Sequence, residues 1–308
     1  MNTSLVISFI QLFIILLFAP FVTGLVRLLK ARLQGRRGAS PFLVYFGLLT
    51  MLRKQTVISQ SRSWVFRSVP YVVLGTVIFL VMSLPLVFSN AGIYGVDVFV
   101  IAVVLALSSV FLVFGGLDSA TAFGGMGASR EMTLAALVEP VIITTFATLA
   151  IVSNSTFVKD SFGSGLHLWQ EPALILTLIG FIFIALSENA RYPTDNPATH
   201  LELTMVHEAM ILEYSGPSLA LLEYASSVKL TLFFLLIGNL VVPKTEAVLS
   251  ASSFIVSIAS VLLTLVIVSF LLALLESCMA KMRFYRMQEY MTLGFIFSLS
   301  GLILTLVL

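Results

Sequence analysis

The feature that most constrains this chain is a succession of long apolar stretches carrying little or no charge. They fall at roughly residues 4–26, 70–90, 98–115, 131–153, 172–188, 216–241, 252–276 and 290–308, each near the length that crosses a bilayer as a helix. In hydrocarbon a backbone N–H or C=O has no water to bond to, so apolar runs of this length must be helical. A barrel would instead show alternating segments of about ten residues. Composition agrees: 59% of the 308 residues are hydrophobic and 10% are charged, where a soluble domain carries about 25%. The expected fold class is an all-α integral membrane protein, with one transmembrane domain over residues 1–308. It comprises a bundle of about eight transmembrane helices, a cytoplasmic-side amphipathic helix and a broken helical connection between helices five and six. The first stretch has no basic n-region and no small-residue cleavage site, so it reads as a retained helix.

Lysine and arginine set the orientation. The segment between the first two helices holds Arg27, Lys30, Arg32, Arg36, Arg37, Arg53, Lys54, Arg62 and Arg67 without an acid, and Arg130, Arg191, Lys281, Arg283 and Arg286 fall on the same side. The opposite side has only Lys159 and Lys244. The positive-inside rule then places both termini outside and the basic loops in the cytoplasm. Residues 41–56, PFLVYFGLLTMLRKQT, are apolar, too short to span and end in two cations, which suits an interfacial helix.

Several chemistries are excluded. The single cysteine, Cys278, forms no disulfide within the chain and no Cys-rich metal or iron–sulfur motif. His167, His200 and His207 lack the i,i+4 spacing of a helical zinc site. The glycine-rich GGMGASRE (Gly124 to Glu131) has no P-loop lysine and follows no strand, so it reads as a tight re-entrant turn whose Ser129 caps the next helix. No cofactor, metal or nucleic acid is expected on this chain.

The acids carry the functional signal, because a charge in a membrane segment costs about 2.5–3.5 kcal/mol on insertion scales. Glu139 lies inside the fourth helix, Glu188 ends the fifth, Glu223 and Lys229 lie in the sixth and Glu276 ends the seventh. Asp195, Glu202, Glu208 and Glu213 fall between helices five and six, the last three within the otherwise apolar LELTMVHEAMILEYSG. Pro193 and Pro197 break the chain there. A helix restarting after Pro197 would put Glu202 and Glu213 within about 20° of one face and about 16 Å apart. That spacing suits water-bridged relay sites and not a two-carboxylate active site, which needs about 5–9 Å. His200 and His207 would share a face of this helix, as proton relays or as hydrogen-bonded structural groups. Lys229 reads as a buried ion-pair partner or as a charge tuning a nearby carboxylate.

The acid-rich connection also resembles a known family. ENARYPTDNPATHLEL followed by EYSG (Glu213 to Gly216) resembles the signature of the complex I membrane subunit called H in bacteria and 1 in mitochondria. It lies nearer the group 4 membrane-bound hydrogenase branch, the formate hydrogenlyase type. RLQGRRGASPF (Arg32 to Phe42) resembles the basic patch after the family's first helix. GLDSATAFGGMGASREMTLAALVEP (Gly116 to Pro140) resembles the hydrogenase-branch loop before its fourth helix. ESCMAKMRFYRMQEYM (Glu276 to Met291) is similar to the arginine-rich loop before its last helix. The resemblance implies an eight-helix anchor that docks a hydrophilic redox module on its cytoplasmic side and abuts antiporter-like membrane subunits. It implies a proton path through Glu139, Glu188, Asp195, Glu202 and Glu213, with Glu208, Glu223 and Glu276 as further members and Arg191 and Lys229 as tuning charges. Docking of the module would fall to Arg32, Arg36, Arg37, Arg283 and Arg286. Iron–sulfur clusters, with nickel–iron as one option, would reside in partner subunits. Complex I members carry acids where this chain has Ala198 and His200, and its segment before EYSG is three residues longer. Both departures favour the hydrogenase branch over a quinone-site subunit. A passive anchor and an independent secondary transporter are the other readings, and no inverted repeat supports the transporter.

Overall fold

The computed structural model describes residues 2–58, 62–93, 95–163, 171–195, 205–242, 251–279, 282 and 284–307. The helices are α1 (Asn2–Leu33), α2 (Leu43–Leu52), α3 (Trp64–Ser83), α4 (Val98–Asp118), α5 (Ala122–Val152), α6 (Val158–Gly163), α7 (Pro172–Glu188), α8 (His207–Ile211), α9 (Gly216–Val241), α10 (Ala251–Cys278) and α11 (Phe284–Val307). Seven of them, α1, α3, α4, α5, α9, α10 and α11, are long and apolar enough to cross a membrane. Helix α7 is equally apolar, but its 17 residues reach only about 25 Å, short of a hydrocarbon core of about 30 Å.

Short polar side chains set where helices begin. Ser63 accepts from the Val65 N–H to start α3, and the Asp118 carboxylate accepts from Ser63 N, Ser63 Oγ and Phe66 N. Asp97 starts α4 by accepting from the Phe99 N–H. Proline opens α7 and α9, where a missing N–H costs nothing.

Two expectations fail here. Helix α3 stops at Ser83 although the apolar run continues to residue 90. Pro85 cannot extend the helix, and Leu84 to Phe88 is buried irregular chain. Gln11 of α1, fully buried, makes this possible. Its amide nitrogen donates to the carbonyls of Val81 and Leu84, and its carbonyl accepts from the N–H groups of Leu86 and Val87. Non-helical backbone survives at membrane depth only when protein satisfies it in this way. The glycine-rich segment is likewise no turn. It is the first part of α5, capped by Thr121, whose hydroxyl accepts from the Gly124 N–H. Ser129 lies inside the helix, bonded back to the Met126 carbonyl. The glycines serve packing: a Cβ on Gly127 would press on Ala209 and the Val206 carbonyl.

Helix α7 packs against α11 and α5, α4 against α3 and α5, and α1 against α3, α9 and α10. Small residues allow the closest seam, since a side chain on Gly180 or Gly301 would collide with α11 or α7 respectively. The core runs through this bundle, with Phe88, Phe146, Phe181 and Phe233 almost wholly enclosed.

Candidate functional site: a buried charge network

The short α7 ends in Glu188, and there the bundle encloses charge. The Glu188 carboxylate lies 2.6 Å from the Lys229 ammonium of α9. Both face a cavity of about 30 Å³, which they share with Glu131 of α5, His207 of α8, Asn189, and Ser108 and Ser109 of α4. A polar cavity of that size holds one or two waters. The Asn189 side-chain carbonyl is buried without a partner among the described residues, and cavity water would satisfy it. Glu131 was missed by sequence reasoning because it closes the segment read as a turn. No ion pair to it is seen among the described residues, and Glu188, Lys229 and Asp195 all act on it electrostatically.

Asp195 builds the floor of this network. It is 3% exposed and accepts from the backbone N–H groups of Val206 and His207, so it anchors the start of α8. The single helix expected from Pro197 to Glu213 therefore does not form. Between Pro197 and Glu213 the described residues are helical only over His207–Ile211, whose start the Asp195 carboxylate holds. His200 and Glu202 lie outside the described residues. The enclosure changes how α8 titrates. Burial and the Lys229 charge push the His207 imidazole down to about 4, against Asp195 and Glu188. Burial, Glu223 and Asp195 push the neighbouring Glu208 up to about 7, with Arg27 opposing. An acid balanced near neutrality can load and release a proton, as a relay requires.

A second node joins α1, α10 and the α7–α8 connection. Glu276, 3% exposed, receives Lys30 at 2.8 Å and Arg191 at 3.3 Å. Lys30 also sits 4.3 Å over the Tyr192 ring. Burial lowers the Arg191 pKa from its ordinary value, Glu276 works against that, and Arg27 adds to it.

The remaining sites scatter. Glu213 is exposed and pairs with Arg62 at 2.8 Å; Arg62 lies over Phe66, which stacks on Tyr214 at 3.9 Å. Glu139 is exposed on the outside of the bundle, in a groove of about 200 Å³ lined by Phe99, Val103 and Ile143 of α4 and α5. Eight residues separate it from Glu131, about 12 Å along α5. Arg32, Arg36, Arg37 and Arg286 are exposed, while Arg283 lies outside the described residues.

The sequence model of the NADH dehydrogenase family matches residues 5–308. The chain belongs to this family. Among its relatives, hydrogenase-4 component C of Escherichia coli (strain K12) is 31% identical, over 92% of this chain and 90% of that protein. Formate hydrogenlyase subunit 4 of the same organism is 28% identical, over 91% and 92% respectively. The fold matches a chain of the membrane-bound sulfane sulfur reductase, an archaeal respiratory membrane complex, with a TM-score of 0.80 at 17% identity; the match covers 97% of this chain and 99% of that one. This family member is therefore a multi-pass membrane protein whose relatives are components of multi-subunit complexes.

Proposed function

We propose that the chain is the anchoring and ion-conducting membrane subunit of a complex I-like, energy-converting redox complex of the group 4 hydrogenase or formate hydrogenlyase type. Its relatives are named for hydrogenase and formate hydrogenlyase. The observation that carries the ionic part is the water-sized cavity holding Glu131, Glu188, Lys229 and His207 together. Glu208, Glu223 and Asp195 continue the network electrostatically. Ions or protons enter from the cytoplasmic side, pass along these groups and leave laterally to antiporter-like neighbours. A hydrophilic redox module docks through the exposed Arg32, Arg36, Arg37 and Arg286, with Arg283 of the sequence as a further docking charge. With one cysteine in the chain, iron–sulfur clusters and any nickel–iron centre belong to that module, and this subunit performs no redox chemistry itself. It resides in the inner membrane with both termini outside.

The test is reconstitution of the assembled complex in sealed vesicles, following redox rate and ion gradient together. Glu188→Gln keeps the shape but removes the charge and the exchangeable proton. It is expected to leave assembly intact and to cut the gradient at least tenfold per electron transferred. A normal gradient from Glu188→Gln and from Glu131→Gln would leave only the anchoring role.

A further inference from the structure

Glu139 takes no part in the charge cavity. It lies seventeen residues after the start of α5 and thirteen before its end, about 25 Å and 20 Å along the axis, in a helix apolar enough to cross a membrane. It is exposed, and no hydrogen bond or ion pair to it is seen among the described residues. A glutamate side chain is too short to reach either interface from that depth. Against hydrocarbon its charged form is costly, and its protonated form would leave an O–H and a C=O without partners. The neighbouring turn adds to the demand. Pro140 has no N–H, so the carbonyl of the exposed Ala136 lacks its usual helical donor.

This chain supplies no cation to meet these acceptors. Glu139 is the one charged residue lining its groove between α4 and α5. The cations of α5 and of the helices packed on α4 and α5, namely Arg67, Arg130, Lys159, His207 and Arg286, do not line it. The acids there, Glu131, Glu188 and Glu289 among them, add no positive charge. A second copy does not help either. A two-fold contact on this face would set Glu139 against Glu139, and the mid-span cation among the described residues, Lys229, is paired with Glu188 inside the bundle. The groove itself suits a helix. Ala102 and Ala106 lie one turn apart on α4 and let a neighbouring backbone come close. Val103, 67% exposed, and Ile143, 48% exposed, stand beside them as apolar contacts.

We propose that the α4–α5 face is the docking site of a transmembrane helix from a different subunit, which presents a lysine or arginine to Glu139 and packs apolar residues along Ala102 and Ala106. The ion pair fixes the register of the two helices, and the donor hydrogens left over face the Ala136 carbonyl. The inference rests on the assembly part of the proposed function and not on the ion path.

The experiment uses the assembled complex in its native membrane. Benzoylphenylalanine placed at Val103, whose exposure tolerates the bulk, is expected on illumination to cross-link to one membrane subunit, at a peptide whose apolar span contains a lysine or arginine. Glu139→Lys should lower co-purification of that subunit at least tenfold. Changing the subunit's basic residue to Glu in the same complex should restore it to within twofold, which also shows that the variant folds. Glu188→Gln should leave co-purification unchanged, so loss of the ion path and loss of the contact are read separately. Cross-links only to lipid, to a second copy of this chain or to a span without a basic residue would overturn the proposal. So would full retention of the subunit in Glu139→Lys, or no recovery when the charges are exchanged.

Discussion

Replacing Lys229 with Met isolates the cost of the charge cavity. The change removes the one ammonium that faces Glu131 and Glu188 among the described residues and keeps the aliphatic stem. Breaking a buried ion pair by deleting one partner costs about 3–5 kcal/mol. Here the side chains of Lys229 and Glu188 keep 15% and 11% of their accessibility, and the cavity admits water, so about 2–3 kcal/mol is the fitting figure. The reverse deletion differs. Glu188→Gln leaves Lys229 with Glu131 across the same cavity, so its charge stays partly compensated and the loss should be about 1 kcal/mol. The double variant removes both members of the pair, returns the cavity to the parent's net charge and should lie within about 1 kcal/mol of the parent. The assay is heat-induced unfolding of the complex in lipid nanodiscs, run as a double-mutant cycle. Lys229→Met should lower the midpoint by on the order of 5 °C, and adding Glu188→Gln should recover most of it. If Glu188→Gln costs more than Lys229→Met, or if the two effects simply add, the shared cavity is not electrostatically coupled and the reasoning is wrong.

Other outcomes follow from the same geometry. Glu208 is held at about 7 against an unfolded value near 4.5, so the folded state retains a proton that the unfolded state releases, and its contribution to stability falls as pH rises from about 4.5 to 7. His207, lowered from 6.5 to about 4, acts oppositely between those values, so from about 6.5 to 7 Glu208 is the member of this pair that changes charge. Difference infrared spectra should therefore show carboxyl intensity titrating near pH 7 that Glu208→Gln lowers and His207→Gln leaves. Gln11→Leu orphans four backbone groups and should destabilise the complex by at least about 2 kcal/mol even at the modest worth of hydrogen bonds in membranes, read as unfolding in denaturant; an unchanged transition would mean water reaches this chain. Mutating Arg36, Arg37 and Arg283 together to Ala should release the redox module at moderate salt in a pull-down, and retention would displace the docking face.

How much was legible depended on the kind of signal. The spans were readable because a bilayer admits few solutions, and α9 matches its expected limits at both ends. Helix α5 was not, because glycines in its first turns argue against helix by propensity, when Gly127 in fact packs closely on α8, which no local rule reveals. That misreading also hid Glu131. Glu188, Lys229 and Glu276 stood out as charges in apolar sequence, but their partners, 41, 246 and 85 residues apart in the chain, were not deducible. Gln11 offered one cue, a lone amide in an apolar helix, without saying which backbone needed it.

The position of the network follows from one short helix. At about 25 Å, α7 is shorter than a hydrocarbon layer of about 30 Å, and its last carbonyls, the negative end of its dipole, meet no further helical turn. Lys229 lies thirteen residues into α9, about 20 Å from that helix's start, so the meeting point is deep within the bundle. Irregular backbone at such depth persists only if protein or a water-filled cavity surrounds it. Here Arg191 to Asp195 form hydrogen-bonded turns, Asp195 caps α8, and the carboxylates crowd around the remaining space. Broken helices bind ions in unrelated transporters for the same reason, since the break supplies both unpaired backbone and room for water. Lengthening α7 by one turn, with Ala-Ala-Leu-Ala inserted after Ile184, would carry Glu188 about 6 Å away from Lys229. That insertion should abolish coupled transport while leaving membrane insertion intact, and a surviving gradient in vesicles would show that the break is not where ions pass.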